Sequence, residues 1–148
     1  MWILHYTNHV TYCIEPLSRD QTPLINTVAE AATIVRAVNN PHLRTMIDTS
    51  SAGLAETESI PDLINRWLPT GMIGHVQVND PNRRGPGQGE MKFGPILKAL
   101  STNGFSDFVA VEPFEYVPDG VRRRGRLGIC AGCLKAINPQ VPSSNLGR

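Results

Sequence analysis

The chain has 148 residues, 41% of them hydrophobic and 18% charged, with a formal net charge of +1. That length suits one globular domain with its own core. The near-neutral balance gives no basic surface for nucleic acid or an anionic membrane, apart from one cluster, RRRGR at Arg122–Arg126, that reads as a solvated face. No apolar run approaches a membrane span and MWILHY does not form a signal peptide. Three cysteines make no disulfide framework. Cys130 and Cys133 form a lone C-x-x-C without a second pair or a nearby histidine, so a zinc site is not expected, and Cys13 reads as a small core residue. A reducing, cytoplasmic setting fits this usage.

Along the chain two hydrophobic periods alternate. HVTYCIEPL (9–17) is β-rich and stops at a proline. In TPLINTVAEAATIVRAVNNP, Thr22 is expected as an N-cap and Pro23 as the first helical residue, with Leu24, Ile25, Val28, Ala31, Ala32, Val35 and Val38 at helical spacing. LRTMIDTS (43–50) is strand-like, and SIPDLINRWLP is a short helix capped by Ser59. MIGHVQVND is a third strand, GPILKALSTNG a helix from about Pro95 to Gly104, and DFVAVEPFEY (107–116) a fourth strand. Residues 121–137 read as a last helix weakened by three glycines, and 138–148 as a flexible tail. Four strands, each followed by a helix, predict an α/β protein with a parallel sheet whose two faces are both covered by helices.

The chemistry gathers where the strands finish. The first ends in Glu15, the second in Asp48, the third in His75, Gln77 and Asn79, and the fourth in Glu112. In a parallel βα repeat these ends lie on one edge, where ligands bind in open sheets and barrels alike. Alternation puts His75, Gln77 and Asn79 on one face and Val76 and Val78 on the other. Carboxylates meeting at such an edge repel unless protonated or bridged by a cation. Oxygen donors with one imidazole suit Mg²⁺ or Mn²⁺, and Co²⁺ or Zn²⁺ are also open.

IEPLSRDQTPLINT, MIDTSS, GHVQVNDPNRRGPGQGEMKFGPILKAL and VAVEPFEYVPDG together resemble the sugar phosphate isomerase/epimerase family, the xylose isomerase-like TIM barrels that include ketose 3-epimerases and hydroxypyruvate isomerases. The resemblance runs from about residue 9 to 120. It implies one divalent metal on Glu15, Asp48 and Glu112, the two glutamates also acting as the acid/base pair that moves a proton through an enediolate. It implies a small sugar or sugar phosphate as substrate, and Arg83 as a substrate contact. By spacing, the metal-binding histidine falls at Gln77, a neutral oxygen donor, with His75 as a substitute ligand two residues away on the same face. Ser51 stands where many epimerases have a substrate-binding histidine, and Gln21 where an acidic residue is usual. The apurinic-site endonucleases of the superfamily need a histidine-rich metal cluster that this sequence lacks.

A complete barrel takes roughly 250 residues, and four βα units correspond to the C-terminal half of a (β/α)8 barrel. The expected layout is an N-terminal remnant over 1–8, a half barrel over 9–137 and the tail. A half barrel leaves two strand edges and an apolar inner face open, so it should form a homo-oligomer, join a missing N-terminal half, open into a flatter sheet, or be a truncated product. The alternative to an isomerase is accordingly a non-catalytic remnant or assembly subunit of the same fold.

Overall fold

The computed structural model describes residues 10–115. The expected N-terminal remnant, the Arg122–Arg126 cluster, the helix over 121–137, the Cys130/Cys133 pair and the tail lie outside the described residues. Within them the elements are β1 (Tyr12–Ile14), α1 (Val28–Val38), β2 (Leu43–Asp48), α2 (Thr49–Ala55), α3 (Ile60–Trp67) with a 3-10 turn (Leu68–Thr70), β3 (Ile73–Gln77), α4 (Phe93–Thr102) and β4 (Val109–Ala110). All neighbouring strands pair in parallel and in simple chain order, β1-β2-β3-β4. Among the described helices, none is long and apolar enough to cross a membrane.

That order corrects the expectation of helices on both faces. Parallel neighbours joined in sequence by right-handed crossovers carry every connecting helix to the same side, as a barrel does. One core results: Ile47, Val76 and Val78 from the strands meet Val28 and Ala32 of α1, Leu63 and Ile64 of α3, and Ile96 and Leu100 of α4. No residue of the opposite face joins this core. There Arg44 is exposed, Cys13, His75 and Gln77 are partly buried, and Met46 and Asp48 are buried.

The two faces are kept in phase by an irregularity at Gly74. Thr45 pairs with Ile73, but the next partner of β3, against Met46, is His75, so Gly74 is the extra residue of a bulge. Without it His75 would stand beside Ile47 and face the helices. With it Ile73, Val76 and Val78 all enter the core while His75 and Gln77 turn to the other face, because a one-residue slip reverses every side chain. A Cβ at position 74 would lie 2.8 Å from Cys13 Sγ and 3.0–3.1 Å from the Arg44 side chain, so a larger residue would have to push these side chains aside.

Helix ends follow local chemistry, with two corrections. α1 begins at Val28 and not after Thr22: Thr27 is the N-cap, its hydroxyl accepting from Glu30 N while the Glu30 carboxylate accepts from Thr27 N. Thr22 shapes the preceding loop, its Oγ1 accepting from Leu24 N, and Ile25 sits at φ 58°, outside any helix. Glu56, half-buried, lends a further acceptor to the same helix end at Val28 N (2.8 Å). The second correction is α2, which was expected to be strand as far as Ser50 and instead turns helical at Thr49 under an Asp48 cap. Ser59 caps α3 as anticipated, with Pro61 in the first turn. β1 and β4 are shorter than expected, at three and two residues.

Replacing Thr27 with Ala removes half of the capping box and is expected to cost about 1 kcal/mol, with the fold retained. Thermal melts followed by circular dichroism check this; an unchanged midpoint would show that Glu56 and Glu30 satisfy that helix end alone.

Candidate active site

The strand register sets the site. Asp48 pairs with Gln77 and Gln77 with Ala110, so these three form one row across β2, β3 and β4. Glu112 follows two residues beyond Ala110, and Glu15 directly follows β1. The chain order therefore places the two glutamates on the outer strands and Asp48 with Gln77 on the inner ones. His75 pairs with Met46, two rows deeper than Asp48, so the structure sets Gln77 and not His75 beside the aspartate.

Asp48 is 3% exposed, and each of its carboxylate oxygens accepts one hydrogen bond. Oδ1 accepts from Ser51 N in the first turn of α2, and Oδ2 accepts from Asn79 Nδ2, both at 2.8 Å. Asn79 in turn accepts from Glu112 N at 2.7 Å through Oδ1. Glu15 is half-buried. Burial holds its carboxyl above the usual 4.5, and the charges of Asp48 and then Glu112 push it the same way. Both other carboxylates therefore act on Glu15 through charge. Gln77 Oε1, in the row of Asp48, is buried with no hydrogen-bond partner.

The loop after β3 forms the rim. Arg83, at φ 66°, lays its guanidinium 4.2 Å from the centre of the Phe114 ring, and its carbonyl accepts from Phe114 N and Glu115 N. Arg84 pairs with Glu115 at 3.1 Å. Asp80, buried, holds the loop's return: Oδ2 accepts from Met91 N, and a Cβ on Gly89 would lie 2.0 Å from Asp80 Oδ1. Asp20 is held below its usual range, first by the Ser18 side chain, next by a backbone hydrogen bond at Asp20 itself, and least by the Arg83 charge. Gln21 is exposed and its Oε1 accepts from Ser18 Oγ. Ser51 is buried, and its recorded part in the site is the N–H given to Asp48.

The family model for the xylose isomerase-like TIM barrel matches residues 5–127. The chain belongs to that family. D-psicose 3-epimerase of Agrobacterium fabrum is 33% identical over 105 residues, 71% of this chain and 35% of that protein. D-psicose 3-epimerase of Ruminiclostridium cellulolyticum is 32% identical over 119 residues, 80% of this chain and 38% of that protein. The crystal structure of 3-keto-D-glucoside 4-epimerase from E. coli superposes with a TM-score of 0.75 at 22% identity, covering 88% of this chain and 48% of that one, which supports the fold. The chain therefore spans a little over a third of the length of the curated relatives it matches.

Does this xylose isomerase-like edge suit a cation? Among the described residues, no three His, Cys, Asp or Glu side chains are grouped closely enough to hold a metal ion by themselves. A further oxygen donor does lie beside Asp48: the orphaned Gln77 Oε1, in the same strand row. The sequence placed Asn79 at this edge without naming a partner for it, and gave no role to Thr49 or Asp80. Only the shared parity of Asn79 with Gln77 signalled that it belonged to this edge.

Two outcomes are expected. Because the folded-state pKa of Glu15 lies above 4.5, the folded chain holds that proton more tightly than the unfolded chain. Stability from this group is complete below about pH 4.5 and is lost as pH rises through the raised value. In metal-free buffer, Glu15→Gln should therefore gain on the parent protein as pH increases, in paired denaturant titrations. Gly89→Ala should loosen the 80–91 loop without unfolding the core, seen as faster tryptic cleavage after Arg83 and Arg84 with unchanged far-ultraviolet dichroism.

Proposed function

We propose that the chain carries the metal- and proton-handling edge of a divalent-metal-dependent isomerase or epimerase acting on a small ketose, free or phosphorylated. One observation carries the reading. The charges of Asp48 and Glu112 both act on Glu15, and a buried, unpartnered Gln77 oxygen stands in the row of Asp48. The names of the relatives, ketose 3-epimerases, point to the same substrate class.

Glu15, Asp48, Gln77 and Glu112 would hold the ion. Oxygen donors favour Mn²⁺ or Mg²⁺ over Co²⁺ or Zn²⁺. When bound, it supplies Lewis-acid polarisation of the substrate carbonyl. The glutamates, on opposite outer strands, suit the two ends of a proton transfer. One carboxylate breaks the C–H bond beside the carbonyl, and the electron pair moves onto the carbonyl oxygen as an enediolate. The other carboxyl then returns a proton to carbon, from the opposite side for epimerisation. Arg83 is proposed to bind substrate hydroxyl or phosphate oxygens from the rim, with Ser51 and Gln21 lining the neighbouring wall.

The test is deuterium incorporation at the carbon next to the ketose carbonyl, followed by NMR in D₂O with Mn²⁺ and D-fructose or D-psicose. Exchange is expected, and Glu15→Gln or Glu112→Gln should slow it by about 10²-fold or more. Protein that binds Mn²⁺ yet exchanges no ketopentose or ketohexose, phosphorylated or free, would overturn the activity. Gln77→His should tighten Mn²⁺ binding; equal, weak binding by both forms would remove Gln77 from the ligand set.

A second reading, a non-catalytic member of the fold, draws on the neutral Gln77 and on the absence of a three-residue His/Cys/Asp/Glu group among the described residues. Absent exchange together with Mn²⁺-independent stability would favour it.

A further inference from the structure

Asn79 is fully buried, at 0% exposure, two residues beyond the end of β3. Its side chain has both ends in use. Nδ2 donates to Asp48 Oδ2 at 2.8 Å and Oδ1 accepts from Glu112 N at 2.7 Å. The orientation of the amide is not arbitrary: turned over, it would set oxygen against carboxylate and NH₂ against N–H, losing both bonds.

Its main chain is secured separately. Asn79 N donates to Thr49 Oγ1 at 2.8 Å, and the Thr49 hydroxyl donates back to Asn79 O at 2.6 Å. The β3–β4 pairing is likewise continued by Val78 N donating to Ala110 O at 2.8 Å. The sheet edge is thus already closed by main-chain and hydroxyl bonds. The carboxamide adds something those bonds do not: it measures the separation between the Asp48 carboxylate on β2 and the Glu112 main chain after β4. Alanine reaches neither partner, and aspartate would set a second anion against Asp48.

We propose that Asn79 is a positioning residue, whose carboxamide spaces Asp48 from Glu112 so that both carboxylates meet one divalent cation in a set geometry. This rests on the metal-site reading above. Each Asp48 oxygen spends one acceptor position on an N–H and keeps another for the ion. Groups that orient ligands in this way are typically worth about 10–100-fold in metal affinity.

The experiment compares the full chain with Asn79→Ala and Thr49→Val. Mn²⁺ affinity is measured by calorimetry, the electron paramagnetic resonance spectrum of bound Mn²⁺ is recorded, and metal-free thermal stability is taken alongside. Both variants should lose stability. Asn79→Ala alone should weaken Mn²⁺ binding by about 10–100-fold and alter the spectrum, while Thr49→Val keeps the parent affinity and spectrum. If Asn79→Ala does not fold, Asn79→Ser, which keeps a donor but is too short to span both partners, is read in the same way. Parent-like Mn²⁺ affinity and spectrum in a folded Asn79 variant would overturn the proposal, leaving Asn79 a structural tie. So would equal weakening by Thr49→Val. Parent protein that binds no Mn²⁺ overturns the metal-site reading itself and this inference with it, a result distinguished by appearing before any substitution is made.

Discussion

A buried carboxylate, Asp48, organises the functional edge of this sheet. Removing a charge from water is costly unless the protein replaces the lost hydration. Here two N–H groups do so, one from the first turn of α2 and one from Asn79, and bonds to an ionised acceptor are the stronger kind. The same carboxylate starts a helix, closes β2 against β3 and, through Asn79, reaches the backbone at Glu112. Local structure, sheet closure and candidate chemistry therefore depend on one side chain.

The winding of the chain explains why the polar groups can collect there. Simple strand order sends the helices to one side, where Ile47, Val76 and Val78 take up the apolar packing. The other face is left to Glu15, Asp48, His75 and Gln77. The Gly74 bulge keeps these two populations apart, since β3 supplies residues to both and its phase changes part-way along. An α/β barrel family that uses strand ends for chemistry needs both features: a continuous apolar layer behind and polar groups in step in front.

Much of this was legible in the sequence. Strand ends rich in Glu, Asp and Gln marked the edge, and Ser59 with Pro61 marked the start of α3 correctly. The first helix was misread because two threonines compete for its cap. Thr22-Pro23 fits one signature, while Thr27 with Glu30 fits the capping box, and the apolar spacing of Leu24 and Ile25 favoured the earlier one. Tertiary folding of the loop, with Asn26 Nδ2 donating to the carbonyls of Leu17 and Thr22, decides for Thr27. α2 was hidden because TSSAGLA is poor in helix formers; its cap and the burial of Thr49–Ala52 sustain it. Asn79 could not be assigned from sequence, since its partners lie 31 and 33 residues away and meet it only through strand register.

The rim is not uniformly anchored. On one side, the Arg83 carbonyl accepts two N–H groups from the segment after β4, and Arg83–Phe114 and Arg84–Glu115 reinforce that seam. On the other, residues 17–27 bond chiefly among themselves, through Leu17–Ile25, Ser18–Gln21 and Asn26. Among the described residues the two sides of the rim are therefore anchored differently: one is tied across to the segment after β4, the other is held by its own internal bonds.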